Sequence, residues 1–443
     1  MPNLPRHLQL TGGDYFILAL DRQMRRAGLP GNVCRLVWRL EGTVDTDRLR
    51  QRLATSPLLH WLARVHMMRF LPILSPRWRV TAGPSLVLHE HDDHGGSGDD
   101  PTLLPPAVLG RDLQAGRAPA LALDLVRWPG GAHLVLSWHH ALMDARGAEL
   151  LLRHVNGEAA GPADEPVNSA QANFSLWRLW RGYWRKVRFA RASLAFISTT
   201  CREPLLTLMP GARPLRPCRN EYRVVAFDAA ETARLDAHCQ RLNAGFRRSH
   251  FYLAAVVQAV HGVVVARGQT EGAYVIPVPH DLRRHRAGGP LFSNQLSFLF
   301  YRLEPEQVAS LPEMIGALTR QMAEQIRHHH LPAFVAAMEL FKPTPLDFYL
   351  RQLARPARGK LATFFFSDAG DAGAGLNAVL GAQLTGVTHL APTSRPPGLT
   401  VIFSRFRGRL SAVLAAADDC LSPDEIAAVE RGLRATLLGE GPR

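Results

Sequence analysis

The sequence predicts an α+β protein built in two halves, and three observations carry the prediction. Its 443 residues, 47% of them hydrophobic, exceed the roughly 100–200 residues of a usual domain, so two domains are expected. Stretches of period-two apolar alternation are interspersed with apolar spacings of three and four, the marks of strands mixed with helices. A stretch holding Pro204, Pro210, Pro214 and Pro217 reads as a linker over 198–220, and beyond it the pattern starts again. The expected division is 1–197, the linker 198–220, and 221–443.

In the first half, DYFILALDRQMRRA (14–27) has the spacing of an amphipathic helix, closed by Gly28 and Pro30. NVCRLVWRLEG sets Leu36, Trp38 and Leu40 against Arg35, Arg39 and Glu41, which predicts a half-buried strand. Asp45 or Thr46 then caps a short helix. His89, His91 and His94, with Glu90 and Asp92, are residue types that ligate zinc. They also end a strand at the loop GGSGDD, and a solvated strand end is the preferred reading. Residues 119–138 predict a hairpin turning at Pro129 to Gly131.

The second strand of that hairpin runs into LVLSWHHALMDARG (134–147), the most informative stretch of the chain. An apolar strand covered on both faces delivers His139 and His140, Asp144 follows, and AELLLRHV continues with helical spacing. A strand-to-helix turn holds side chains firmly while letting them reach a cavity. An imidazole there can take the proton of an alcohol or amine attacking a carbonyl, and a nearby carboxylate can fix the tautomer or brace the loop. With 19 His in the chain, composition alone yields H-H-x-x-x-D with roughly 5% probability, so the motif is moderately specific.

FSLWRLWRGYWRKVRFAR (174–191) carries Arg178, Arg181, Arg185, Lys186, Arg188 and Arg191 and no acid, with Trp177, Trp180 and Trp184 at helical spacing. Such a segment either lies on an anionic surface or packs its Trp stripe between the domains, and interdomain packing is slightly favoured. In the second half, EYRVVAF predicts a strand, 229–243 a helix, and 249–266 a helix apolar almost all round and therefore buried. AYVIPVPHDLRRHRAGGPLFSNQLSFLFYRL (273–303) reads as a buried strand, a charged Gly-rich loop, Ser293-Asn294 and a second strand. Arg283 or Arg284 is placed to pair with Asp144, because a buried carboxylate requires a partner. His328 to His330 are expected to end a helix over 310–328 ahead of Pro332. ATFFFSDAG and two or three further strands precede a last helix capped by Ser422.

HHALMD resembles the H-H-x-x-x-D signature of the thioester-dependent acyltransferase superfamily. Its members include chloramphenicol acetyltransferase-like folds, condensation domains, and wax ester synthase/diacylglycerol acyltransferases. The opening helix and strand, the V-P-x-x-x-R and S-N segment, and the closing strands resemble it as shapes. The resemblance implies two similar chloramphenicol acetyltransferase-like αβ halves with an active-site tunnel between them. It implies His140 as catalytic base, Asp144 as largely structural, His139 beside them, and substrate-binding positions at Gly147, Arg283, Ser293, Asn294 and Ser367. The glycine usual after the Asp is Ala145 here, which keeps a non-catalytic member of the fold in view. Ser249-His250 stands where wax ester synthases carry Asn-Asp, and no D-F-G-W-G of the plant alcohol acyltransferases occurs.

The function implied is transfer of an acyl group from a CoA or carrier-protein thioester to a hydroxyl acceptor, with no metal and no cofactor beyond the acyl-CoA or acyl-phosphopantetheine substrate. The alternatives are an amide-forming condensation-domain-like enzyme and a non-catalytic carrier- or lipid-binding protein. A small-molecule or lipid acceptor is expected, no nucleic acid, and possible peripheral membrane contact through 174–191. Neither an ATP-binding loop nor a nucleophile elbow is present to activate a free acid or ester. The five Cys (Cys34, Cys201, Cys218, Cys239, Cys420) show no C-x-x-C spacing, which points to reduced thiols and a cytoplasmic protein. No h-region opens the chain and no run of about 18 apolar residues is evident. The net charge of +14 suits an acidic carrier, a phosphorylated substrate or an anionic membrane without choosing among them.

Overall fold

The computed structural model describes residues 4–69, 75–92, 100–158, 167, 182–209, 218–269, 271–283 and 290–440. The first half contains β1 (His7–Gln9), α1 (Gly12–Arg26), β2 (Val33–Glu41), α2 (Thr46–Thr55), α3 (Pro57–Arg64), β3 (Val65–Met68), β4 (Arg77–Val80) and β5 (Leu88–Asp92). It continues with α4 (Pro106–Leu109), β6 (Leu121–Trp128), β7 (Gly131–His139), α5 (Ala145–Asn156) and α6 (Tyr183–Thr200). The second half contains β8 (Asn220–Ala226), α7 (Ala229–Arg241), α8 (Arg248–Ala266), β9 (Tyr274–Asp281), β10 (Leu296–Leu303), α9 (Leu311–Arg327), α10 (His330–Phe341) and α11 (Leu346–Ala354). The chain closes with β11 (Phe365–Asp371), β12 (Ala378–Val379), β13 (Ala382–Leu390), β14 (Leu399–Phe406), β15 (Arg409–Ala417) and α12 (Pro423–Leu438).

Two larger sheets organise the halves. One runs β12-β13-β2-β7-β6-β5 and the other β11-β14-β15-β8. The division at 198–220 is therefore not a clean spatial one. β13 comes from the second half yet pairs antiparallel with β2, Val387 opposite Trp38, so the first sheet is completed from the far end of the chain. In the other direction, α6 packs along α10 with Ile197 in a cluster holding Val275, Phe298, Phe334 and Met338 of the second half. Each half keeps its own core, around Trp38, Leu136 and Leu151 in one and Phe251, Leu299, Val401 and Leu433 in the other.

β2 was expected to be half-buried and is buried on both faces. Arg35 sits in its polar register but is only 3% exposed. Its guanidinium is satisfied by the carbonyls of Val108 at 3.0 Å and Val33 at 3.3 Å, and by that of Leu109. A buried cation is tolerable when its donors are met by fixed carbonyls. The solvated strand-end reading holds at His89, which is exposed, but not at His91, whose Nε2 lies 2.9 Å from Oδ1 of the fully buried Asp124. Arg111 reaches the same oxygen, while His94 falls outside the described residues.

α8 is buried over most of its circumference, as its composition requires. With the turn before it, 22 residues over Gly245–Ala266 are long and apolar enough to cross a membrane, a run that the expectation of no long apolar stretch did not include. Its most apolar window is 67% buried, and it lies so close to α12 that a Cβ on Gly432 would meet Ala259 Cα at 3.3 Å. It is the core helix of the second half.

The histidine triplet does not simply end a helix. His328 caps α9, His329 turns at φ +55°, and His330 opens α10 with Pro332 in its first turn. Proline is accommodated in a first turn because its missing N–H has no intrahelical acceptor there. Of the 174–191 segment, Trp177, Trp180, Arg178 and Arg181 lie outside the described residues. Trp184 is 77% exposed, so packing between the domains is overturned at that position.

Candidate active site

β7 is buried along almost its whole length and ends at His139, which is fully buried. The turn after it is closed by backbone bonds: His139 N to Ala120 O at 2.8 Å, His140 N to Asn32 O at 2.9 Å, and Leu142 N to His139 O at 2.8 Å. Trp138 Nε1 donates to Met143 O at 2.8 Å and seals the far side. Sequence and packing thus deliver the two histidines differently. His139 faces inward, whereas His140 is half-buried.

His139 Nδ1 accepts from Ala141 N at 3.1 Å. That assigns the ring proton to Nε2, which lies 3.4 Å from Asp21 Oδ1. Against the burial that raises it, the Asp21 carboxyl is held below its ordinary range by the His139 ring N–H, the Asn32 backbone N–H and the charge of Arg25 together. His140 is pushed the other way from an ordinary imidazole. Burial lowers its pKa, and the charge of Asp144 and nearby backbone carbonyls oppose this without overcoming it. Burial thus favours the neutral form of the His140 ring, the form able to accept a proton.

Asp144 does three things at once. It caps α5 by accepting from Gly147 N at 2.9 Å. It accepts from Gln295 N at 3.1 Å. It also takes both terminal nitrogens of Arg283, each at 2.9 Å. The side chains are 14% and 3% exposed, so this fork is almost dry, and Arg283 is further held by Pro290 O at 3.0 Å and Asp281 Oδ1 at 3.1 Å. Arg284, the other candidate partner, falls outside the described residues.

Gly147 occupies a position no larger residue fits. A Cβ there would stand 2.2 Å from Leu291 O and 3.0 Å from Met143 Cβ. Ala145, in contrast, is the first residue of α5 and takes no left-handed backbone, so the missing glycine after Asp144 distorts nothing. Gly147→Ala is expected to push the Leu291 segment away and cost about 1–3 kcal/mol by overpacking, checked by urea denaturation. An unchanged midpoint would mean that the segment moves freely.

The loop ahead of β10 completes the cluster. Ser293, at φ +76°, donates its N–H to Leu142 O at 2.7 Å. Asn294 Nδ2 donates to His140 O at 2.9 Å. Both residues also bind Asp14, through Ser293 Oγ at 2.6 Å and through Asn294 N at 2.8 Å and Nδ2 at 3.0 Å. His139, His140, Asp144, Gly147, Arg283, Ser293 and Asn294 are thus brought together. Ser367 is half-buried in β11 opposite Ile402, and no hydrogen bond joins it to them. Sequence reasoning missed Asp14 and Asp21. The signal for Asp14 was legible: Thr11-x-x-Asp14 before an apolar run is a capping box, and both of its bonds are present.

Among the described residues, one set of side chains could hold a metal: Cys218, Asp418 and Asp419. Asp419 is already paired with Arg395 there, and the group includes no member of the histidine turn.

No family model matches the chain, and no curated protein matches it. Solved structures do. The first condensation domain of the calcium-dependent antibiotic synthetase, in complex with a substrate analogue, covers 98% of this chain and 97% of its own, at 13% identity and a TM-score of 0.72. This chain has the two-lobed condensation-domain fold. The condensation domain from monacolin K polyketide synthase MokA covers 98% and 97%, at 14% identity and a TM-score of 0.67. The epimerization domain from the third module of tyrocidine synthetase B covers 99% and 97%, at 15% and 0.64. Domains named for condensation and for epimerization share this architecture, so the chemistry of a condensation-fold protein has to be argued from its own site.

Proposed function

We propose that this condensation-fold protein transfers an acyl group from a CoA or carrier-protein thioester to a hydroxyl acceptor, with His140 as general base. The observation that carries the reading is the placement of His140, a half-buried imidazole on a turn pinned by both halves of the chain, with burial favouring its neutral form. The imidazole takes the acceptor's O–H proton as the oxygen attacks the thioester carbonyl. The C–O bond forms, the tetrahedral intermediate collapses, the C–S bond breaks, and the departing thiolate receives the proton back. His139 orients the turn and Asp144 braces it.

A cleft of about 370 Å³ beside Asp21 is lined by Leu18, Met67 and Leu346 and by Arg22, Arg25 and Arg26, whose charges are already met by Asp347, Asp21 and Asp112. It offers room for a thioester arm and no unpaired cation for a phosphate. Exposed Trp184, Arg185, Arg188 and Arg191 at the start of α6 suit contact with an anionic surface, where each basic residue contributes about 1 kcal/mol. Liposome sedimentation tests this, and binding insensitive to salt would remove it. Five buried free cysteines fit a reducing, cytoplasmic setting. The second reading is an amine acceptor and an amide product, with the same base and the same thioester donor. The non-catalytic reading loses the support it drew from Ala145.

The test is a panel of acyl-CoA and acyl-carrier donors with alcohol and amine acceptors, thiol release being titrated and products weighed. Thiol release is expected to require an acceptor and to rise with pH through a midpoint below 6.5, because His140's folded pKa is depressed and only its neutral form accepts the proton. No release from any donor by a well-folded protein would leave the non-catalytic reading in its place.

A further inference from the structure

Asp14 and Asp21 lie seven residues apart on α1, about two turns, and therefore on one face of the helix. Asp14 is fully buried. Five donors converge on its carboxylate: Asn294 N and Nδ2, Ser293 Oγ, Thr11 N at 2.9 Å, and Trp78 Nε1 at 3.4 Å. No cation is among them, and burial outweighs them enough to raise its pKa. Capping α1 uses only the Thr11 bond, so a helix end alone does not explain so costly a buried group. Asp21 accepts from Asn32 N at 2.8 Å and from Arg25 Nε at 3.0 Å, and faces His139 Nε2.

The two carboxylates lead to the same residue, through the peptide groups on either side of the His140 Cα. Asn294 Nδ2, held by Asp14, donates to the carbonyl of His140 at 2.9 Å. Asn32, held by Asp21 through its N–H, accepts the N–H of His140 with its own carbonyl at 2.9 Å. We propose that Asp14 and Asp21 are positioning residues, a two-point clamp on one face of α1 that fixes the peptide groups on both sides of His140, through Asn294 and Asn32. The Asn294 arm comes from the second half, so His140 is aimed only when that loop is docked on the first half. The catalytic meaning of the clamp rests on His140 acting as the base, whereas its existence is measurable without turnover.

The experiment labels histidine rings with ¹³C and ¹⁵N in the full chain and assigns His139 and His140 by their replacement with Gln. In the wild type, the ¹⁵N shifts are expected to place the His139 proton on Nε2, toward Asp21. Asn294→Ala cuts the link to the His140 carbonyl while leaving Asp14 its other donors. It is expected to shift the His140 signal and move its titration midpoint about 0.5 pH unit toward that of a free imidazole. Asp21→Ala leaves Asn32 N without its acceptor and is expected to disturb both rings. Trp78→Phe removes a bond to Asp14 but no arm of the clamp, and is expected to leave both signals in place. Where activity is measurable, Asn294→Ala lowers kcat by about 10-fold with KM little changed, as misaimed groups do.

Unmoved His140 signals in a folded Asn294→Ala or Asp21→Ala protein overturn the clamp even if turnover falls. Should neither variant fold, wild-type hydrogen exchange decides: a His140 amide that exchanges as fast as an open loop overturns the clamp, and a protected one sustains it. Moved signals in a protein inactive with every donor sustain the clamp and remove the acyl-transfer reading instead.

Discussion

His140→Ala is expected to slow the chemical step by roughly 10²-fold or more while the protein melts as the wild type does. The prediction follows from what the His140 side chain lacks. Its ring is half-buried, and no hydrogen bond from it holds another element together, because the bonds that fix this residue run through its backbone N–H and carbonyl. Truncation therefore removes a proton acceptor and spares the turn. His139→Ala differs in kind. It empties a fully buried position and removes the acceptor for Ala141 N, so it is expected to lower both the melting temperature and the rate. Thiol release and thermal melting, measured together, separate the two. A His140→Ala protein with near-normal turnover beside a dead, folded His139→Ala would reverse the assignment of the base.

The sequence made the axis of this site legible and left its girdle hidden. HHALMD on a strand end, with the Arg283 segment and Ser293-Asn294 far downstream, could be read because strand periodicity and a short motif are local. The pairing of Asp144 with an arginine near 283 could be argued from the cost of burying a carboxylate, and the bidentate fork is what that argument requires. The contribution of α1 could be read only in part: Thr11-x-x-Asp14 marks a helix cap and nothing more, and Asp21 looks like an ordinary polar position of an amphipathic helix until the fold lays both against the turn. β13 filling the edge of the first sheet is a pairing across more than 300 residues, which period-two alternation cannot reveal. Arg35 misled for a related reason: alternation marks it as exposed, and only the carbonyls of Val108 and Leu109 make its burial tolerable. Pro332 was read as a stop because a helix C-terminus and a helix first turn present the same local residues.

Asp144→Ala is expected to cost about 3–5 kcal/mol of stability, the largest loss of any single substitution at this site. Three contributions add in the same direction. The Arg283 guanidinium, 3% exposed, loses the carboxylate that meets both its terminal nitrogens and keeps Asp281 and Pro290 O as acceptors. α5 loses its N-cap, worth about 1 kcal/mol. Gln295 N loses its acceptor, which frees the loop that carries Asn294 to His140. Activity therefore falls along with stability, unlike the case of His140→Ala. Asp144→Asn keeps an oxygen for the cap but not the charge, and is expected to recover little of the loss, because stranding the Arg283 cation costs more than losing the cap. The double variant Asp144→Leu with Arg283→Met removes both charges from a nearly dry site and is expected to be markedly more stable than Asp144→Ala alone. Urea denaturation of the four proteins measures this directly. Equal stability of Asp144→Ala and the wild type, or a double variant no better than the single, would show that Arg283 finds solvent when its partner is gone and that the fork does not join the two halves.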